Sequence, residues 1–169
     1  MRSSRWPRPR RPDSMSRVIY IDADACPVKD ETVRVARRHG LSVYIVSNGG
    51  IRPHQDPLVQ TVIVPDGPDV ADKWIADRAS DGDVVVTADI RLAARVIASG
   101  AAALRHNGEV FSSENIGSQL ATRDLMADLR AADPLMTGAG KQGGRAFSKQ
   151  DRSRFLERLE ALIRKANRS

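Results

Sequence analysis

Five aspartates carry the chemistry this sequence could do. Asp22 and Asp24 come directly after the apolar run Val18-Ile19-Tyr20-Ile21, and Asp89 comes just after Val84-Val85-Val86-Thr87. In an open α/β sheet, ligands bind beyond the carboxyl ends of the strands, so these acids converge if the two runs are neighbouring strands. Asp69 and Asp72 open the helical stretch between them, three residues apart and therefore on one face. Carboxylates gathered in this way repel unless a shared proton or a cation offsets the charge. An all-oxygen ligand set suits Mg²⁺ or Mn²⁺, which retain waters and bridge to phosphate oxygens. The chemistry this allows is metal-assisted phosphodiester hydrolysis, with Asp22, Asp72 and Asp89 as catalytic candidates and all five acids as metal ligands. Each acid also has a plainer use: Asp69 and Asp89 as helix N-caps, and Asp24 as a turn residue beside Cys26-Pro27.

The polar residues around these acids supply candidates for substrate binding. Ser47 and Thr87 end strands and could hydrogen-bond a phosphate, as could Asn48, although Asn48-Gly49 is also a common turn. Lys73, Arg91 and Arg95 could neutralise phosphate charge or could equally be surface cations. Cys26, near a helix start, is placed for a lowered thiol pKa, though the sequence offers it no histidine partner. His39, His54 and His106 lack the spacing of a zinc site. Trp74 reads as core or pocket wall.

These residues need a frame. Strands are expected over 18–21, 41–46, 59–64, 84–87, 101–104 and 110–111, where short apolar runs end at turn residues. Helices are expected over about 28–39, 70–80 and 90–99. A further helix runs from a cap at Ser112 or Ser113 to about Ala132, broken or kinked near Gly117. Ser148 and Asp151 form a capping pair for a last helix whose apolar stripe is Phe155, Leu159, Leu162 and Ile163. Alternation of strand and helix with short links predicts a single α/β domain, a mostly parallel central sheet flanked by helices.

Composition narrows the function classes. The 169 residues suit one core, and the one cysteine precludes an internal disulfide, which makes a cytoplasmic setting the expectation. The formal charge of +6 is uneven: residues 1–14 hold five arginines against Asp13, leaving +2 for residues 15–169. This proline-containing tail is expected to be disordered. Either Met15 begins the protein proper, or the arm touches RNA or anionic lipid. No window reads as a membrane span. Aromatics at 4% argue against a base-stacking platform. The Gly-rich stretch 133–147 reads as a mobile loop, and Gly138-Ala139-Gly140-Lys141 within it fails as a P-loop, having Leu135 and Gln142 at the key positions.

One alternative enzyme class comes from Tyr20-Ile21-Asp22-Ala23-Asp24, which resembles the nucleophile motif of haloacid dehalogenase-like phosphatases, with Ser47 ending a second strand as in their second motif. The later Gly82-Asp83 precedes its strand and does not build that family's metal-binding acidic pair. A larger resemblance is carried by Asp22-Ala23-Asp24-Ala25-Cys26-Pro27-Val28-Lys29, Val46-Ser47-Asn48, Gly67-Pro68-Asp69-Val70-Ala71-Asp72, Val86-Thr87-Ala88-Asp89-Ile90-Arg91-Leu92-Ala93 and Phe147-Ser148-Lys149-Gln150-Asp151-Arg152. In this order, over about residues 16–167, they resemble the uncharacterised bacterial YaiI/YqxD family.

That family is similar in fold to PIN-like nucleases. The resemblance implies a three-layer PIN-like domain in which Asp22, Asp72 with Asp69 beside it, and Thr87-x-Asp89 take the acidic positions. Glu109, Glu114 or Asp24 would supply a fourth acid. The function so implied is Mg²⁺- or Mn²⁺-dependent hydrolysis of RNA or another phosphodiester. The alternatives are a nucleic-acid or nucleotide-binding module without catalysis, the phosphatase above, and a structural partner protein. In the last case the apolar side of the final helix could join two copies of the chain.

Overall fold

A computed structural model describes residues 17–23, 26–49, 52–67, 69–132 and 147–168. The basic tail, Asp24 and the stretch 133–146 lie outside these residues, together with the expectations attached to them. Six strands form one sheet in the order β3-β2-β1-β4-β5-β6. They are β1 (Val18–Asp22), β2 (Ser42–Ser47), β3 (Val59–Ile63), β4 (Val84–Val86), β5 (Ala102–Leu104) and β6 (Val110–Phe111). The first five run parallel, and β6 returns antiparallel on the edge beside β5.

The central strand shows why the sheet must be covered on both faces. Val18, Ile19, Tyr20 and Ile21 are all buried, and period-two alternation sends them to opposite sides. Val18 and Tyr20, with Tyr44, Val46 and Val85, pack under α2 (Val70–Arg78) and α3 (Ile90–Ala98), against Trp74, Ile75, Leu92 and Val96. Tyr20, Tyr44 and Trp74 form an aromatic cluster with ring centroids 5.7–6.1 Å apart. Ile19 and Ile21, with Val43, Ile45 and Val86, pack under α1 (Lys29–His39) and the final helix α5 (Lys149–Arg168). The fourth helix, α4 (Ile116–Ala132), lies beside α3.

The chain builds β1, β2 and β3 outward in one direction, then returns to place β4 on the other side of β1. Right-handed crossovers made in opposite directions put their helices on opposite faces, which explains both the three layers and the reversal between β1 and β4.

The last helix is held by its own stripe. Phe155, Leu159 and Ile163 are 0–1% exposed, so these residues are spent inside the chain and cannot serve as the contact between copies considered from the sequence. Asp151 N donates to Ser148 Oγ and Ser148 N to Asp151 Oδ2, both at 3.1 Å, the reciprocal cap expected there. Glu160 pairs with His39 at 2.5 Å and Arg38 at 3.2 Å, and Arg152 with Glu31 at 2.7 Å, tying α5 to α1. At Gly108, where φ is 92°, an added Cβ would stand 2.8 Å from the Arg154 backbone, so only glycine lets α5 pass this closely.

The start of α4 carries the expected cap at Ser112 but not the expected break at Gly117. Ser112 and Asn115 close a turn on each other, with Ser112 N donating to Asn115 Oδ1 at 2.9 Å and Asn115 N to Ser112 Oγ at 3.2 Å. The helix begins only at Ile116 and passes Gly117 without a break, because a glycine in the first turn interrupts little of the ladder.

Candidate functional site

At the reversal of strand order, β1 and β4 are paired with Ile21 opposite Val86, so the residues that follow them leave the same sheet edge side by side. Here a cleft of about 900 Å³ opens, with Asp22, Asp69, Asp72 and Asp89 in its walls. Ligand oxygens of Asp69, Asp72 and Asp89 all lie within 4.8 Å of one another. Asp22 lines the same cleft outside that trio.

Thr87 sets two of these acids. Buried at the end of β4, its hydroxyl donates to Asp22 Oδ2 at 3.0 Å and accepts from the Asp89 backbone amide, also at 3.0 Å. The hydroxyl is thereby committed to orienting the carboxylates and is not directed at a phosphate. Asp89 caps α3, accepting from Arg91 N at 2.8 Å and Leu92 N at 3.4 Å. That leaves its second oxygen for the cleft.

Asp69 also stands at a helix start, but its side chain makes no capping hydrogen bond. It has φ 66°, the one positive φ among described residues other than glycine. An extended N-cap would fold its carboxylate back onto α2, whereas the left-handed backbone sends it elsewhere, which corrects the simple capping expectation. Left-handed aspartate is tolerated better than most side chains there, and such outliers collect at functional sites.

Charge crowding is expressed as opposite shifts. Burial, the hydrogen bond with Asp89 and the charges of Asp89, Asp22 and Asp69 push the Asp72 carboxyl up to about 7. Burial would raise Asp89 as well. The Asp72 hydrogen bond, the amides of Arg91 and Leu92 and the Arg123 charge outweigh it and hold Asp89 below the ordinary carboxylate range. Below about pH 7 and without a cation, Asp72 is thus the group that carries a proton, and Asp89 the one that stays ionised.

The residues expected to bind substrate divide. Asn48 lines the cleft. Ser47 is buried, and its hydroxyl donates to Gly49 O at 3.0 Å while accepting from Gly49 N at 3.1 Å, which closes its own turn. Lys73 is exposed and is not among the residues that wall the cleft. Arg91 points instead to Asp124 of α4, at 3.9 Å. Cys26 is pushed up to about 11, because burial outweighs the backbone hydrogen bond and Lys29; helix proximity does not lower it as expected. Asp83, the later acid of the phosphatase comparison, lies at the opposite end of the sheet, accepting from Val18 N and Ser80 N at 3.1 and 3.0 Å.

Two cleft residues escaped the sequence reading: Arg105, directly after β5, and Arg123, on α4. The rule that drew attention to Asp22 and Asp89 applies equally to Arg105, which follows the C-terminal end of a parallel strand. Arg123 has no comparable local signal.

Comparison with known proteins adds a family. A model described as uncharacterised BCR, YaiI/YqxD family, matches residues 20–165. A UPF0178 protein of Roseobacter denitrificans is 67% identical over 148 residues, covering 88% of this chain and 95% of its own length. One from Ruegeria pomeroyi is 65% identical over 150 residues, covering 89% and 96%. One from Rhizobium meliloti is 52% identical over 151 residues, covering 89% and 100%. No solved structure matches.

Proposed function

The chain belongs to the YaiI/YqxD family, and we propose that its cleft is the active site of a Mg²⁺- or Mn²⁺-dependent phosphodiesterase of PIN-like type, acting on RNA or a nucleotide. The observation that carries this reading is the trio Asp69, Asp72 and Asp89 at the strand-order reversal, their ligand oxygens within 4.8 Å of one another. Oxygens that share an octahedral Mg²⁺ ion stand about 3–4 Å apart, and the trio is gathered on that scale. Its donors are all oxygen, the set such ions prefer.

A bound divalent ion would supply Lewis acidity toward a phosphoryl oxygen and an acidified water. The chain's own residues do the rest. Asp72 releases its proton when a cation enters, and Asp89 is already ionised to receive one. Thr87 holds Asp22 in the orientation that faces the cleft. Arg123 moderates the negative field that would otherwise repel a phosphate. Among the described residues no helix is long and apolar enough to cross a membrane. The single cysteine suits a reducing compartment, and a cytoplasmic setting is part of this proposal.

The test is turnover of a single-stranded RNA oligomer and of bis(p-nitrophenyl) phosphate by the full chain in Mn²⁺. Metal-dependent cleavage, abolished in Asp89→Asn, is expected. A well-folded, metal-loaded protein that cleaves neither would overturn the assignment.

A further inference from the structure

The cleft does not end at the carboxylates. Arg105, Arg123 and Ile90 wall both the acidic cleft and a second, adjoining pocket of about 320 Å³. The second pocket lies against α4, where Ser118, Gln119 and Thr122 line it, with Glu109 from the β5–β6 turn. The two arginines therefore stand at the waist between an acidic lobe and a polar one.

Both arginines have polar capacity left. Arg105 lies 5.2 Å from the Phe111 ring centroid, with Glu109 Oε2 3.8 Å from its Nε. Its Nε and the Arg123 Nη1 are buried and have no hydrogen-bond partner among the described residues. Buried guanidinium nitrogens left without acceptors are costly, and a phosphate supplies several acceptors in the planar geometry arginine matches.

Resting on the phosphodiesterase reading for the acidic lobe, we infer that Arg105 and Arg123 clamp a backbone phosphate at the waist, and that the substrate is a nucleotide strand whose next unit enters the α4 lobe. The lining of that lobe decides the class. Hydroxyl, amide and carboxylate groups suit a sugar and base, and they exclude the acyl chains of a lipid phosphodiester. A mononucleotide would leave the α4 lobe without a contact. At about 320 Å³ the lobe falls at the lower end of small-ligand pockets, so it takes one further unit.

The experiment measures binding of fluorescein-labelled hexauridylate to the full chain by anisotropy in EDTA, where turnover cannot occur, with uridine monophosphate as competitor. The hexamer binds about tenfold or more tighter than the monophosphate. Arg123→Gln and Arg105→Lys each weaken the hexamer about fivefold or more, with unchanged melting temperatures. Gln119→Trp fills the α4 lobe and weakens the hexamer while sparing the monophosphate, which covers the case in which an arginine variant misfolds. A hexamer bound no tighter than the monophosphate, or folded arginine variants that bind as the parent does, overturns the clamp. The two readings fail separately: arginine-dependent binding without cleavage sinks the phosphodiesterase and leaves the clamp, whereas cleavage with unimpaired arginine variants does the reverse.

Discussion

At pH 8 and without divalent metal, Asp72→Asn makes this protein more stable. The carboxyl of Asp72 is raised to about 7 in the fold, first by burial and then by Asp89, Asp22 and Asp69, against an ordinary value of 3.8. Between those values the native state keeps a proton that the unfolded chain has lost. The stabilisation is fully present below the unfolded value and drains away as pH rises through the folded one. The nominal gap corresponds to about 4 kcal/mol, but the carboxyl is half exposed and Asp89 shifts the opposite way, which reduces the usable effect to about 1–2 kcal/mol. Asparagine carries no charge at any pH and keeps a donor for Asp89. At pH 8 the variant therefore melts higher than the parent by about 3–6 °C, and at pH 5 the two nearly coincide. Mn²⁺ raises the melting temperature of the parent and leaves the variant unmoved. Thermal melts at both pH values, in EDTA and in Mn²⁺, read all of this. A variant that melts below the parent at pH 8, or above it by the same margin at pH 5, refutes the reasoning.

Other substitutions probe the supports of the site. Thr87→Val removes the donor to Asp22 and the acceptor for the Asp89 amide, costing about 1–3 kcal/mol and weakening Mn²⁺ binding; denaturant titration and calorimetry check the two effects. Phe155→Ala empties the contact that docks α5 and costs about 3–5 kcal/mol in urea unfolding, while Leu156→Ala, at a partly buried neighbouring position, costs less. Cys26, with its thiol pushed up to about 11, resists iodoacetamide at pH 7.5 and reacts faster as pH rises; mass spectrometry of this single-cysteine chain follows it directly.

The frame was legible because it is written locally. Val18-Ile19-Tyr20-Ile21 and Val84-Val85-Val86 are short, largely β-branched apolar runs bounded by polar residues, the pattern of strands covered on both faces, and an aspartate follows each within three residues. The pairing of β1 with β4, which brings Asp22 and Asp89 to one edge, could be stated only as a condition, since periodicity does not reveal strand order. Once the condition holds, Asp69, Asp72 and Asp89 come together as anticipated.

What the sequence hid depends on tertiary placement. Asp69 looked like an ordinary cap, and only its left-handed backbone shows that its carboxylate is not spent on α2. Ser47 and Thr87 looked like phosphate ligands, and only their hydrogen bonds show hydroxyls already engaged with a turn and with two aspartates. Arg123 gives no local sign of facing the cleft, because a charge on a helix reads as a solvated one until its neighbour is known. Cys26 sits near a helix start, yet its burial outweighs that proximity, and burial cannot be read from sequence position.

The most direct measurement is calorimetric titration of Mn²⁺ into the full chain at pH 8, with Asp69→Asn and Asp89→Asn alongside. Asparagine caps a helix as well as aspartate does, so the Asp89 variant keeps α3 while losing a charged ligand. Saturable binding in the parent, lost or greatly weakened in both folded variants, is the predicted result. Folded proteins that bind nothing up to millimolar Mn²⁺, or variants that bind as the parent does, would contradict a divalent-metal centre at the end of β1 and β4.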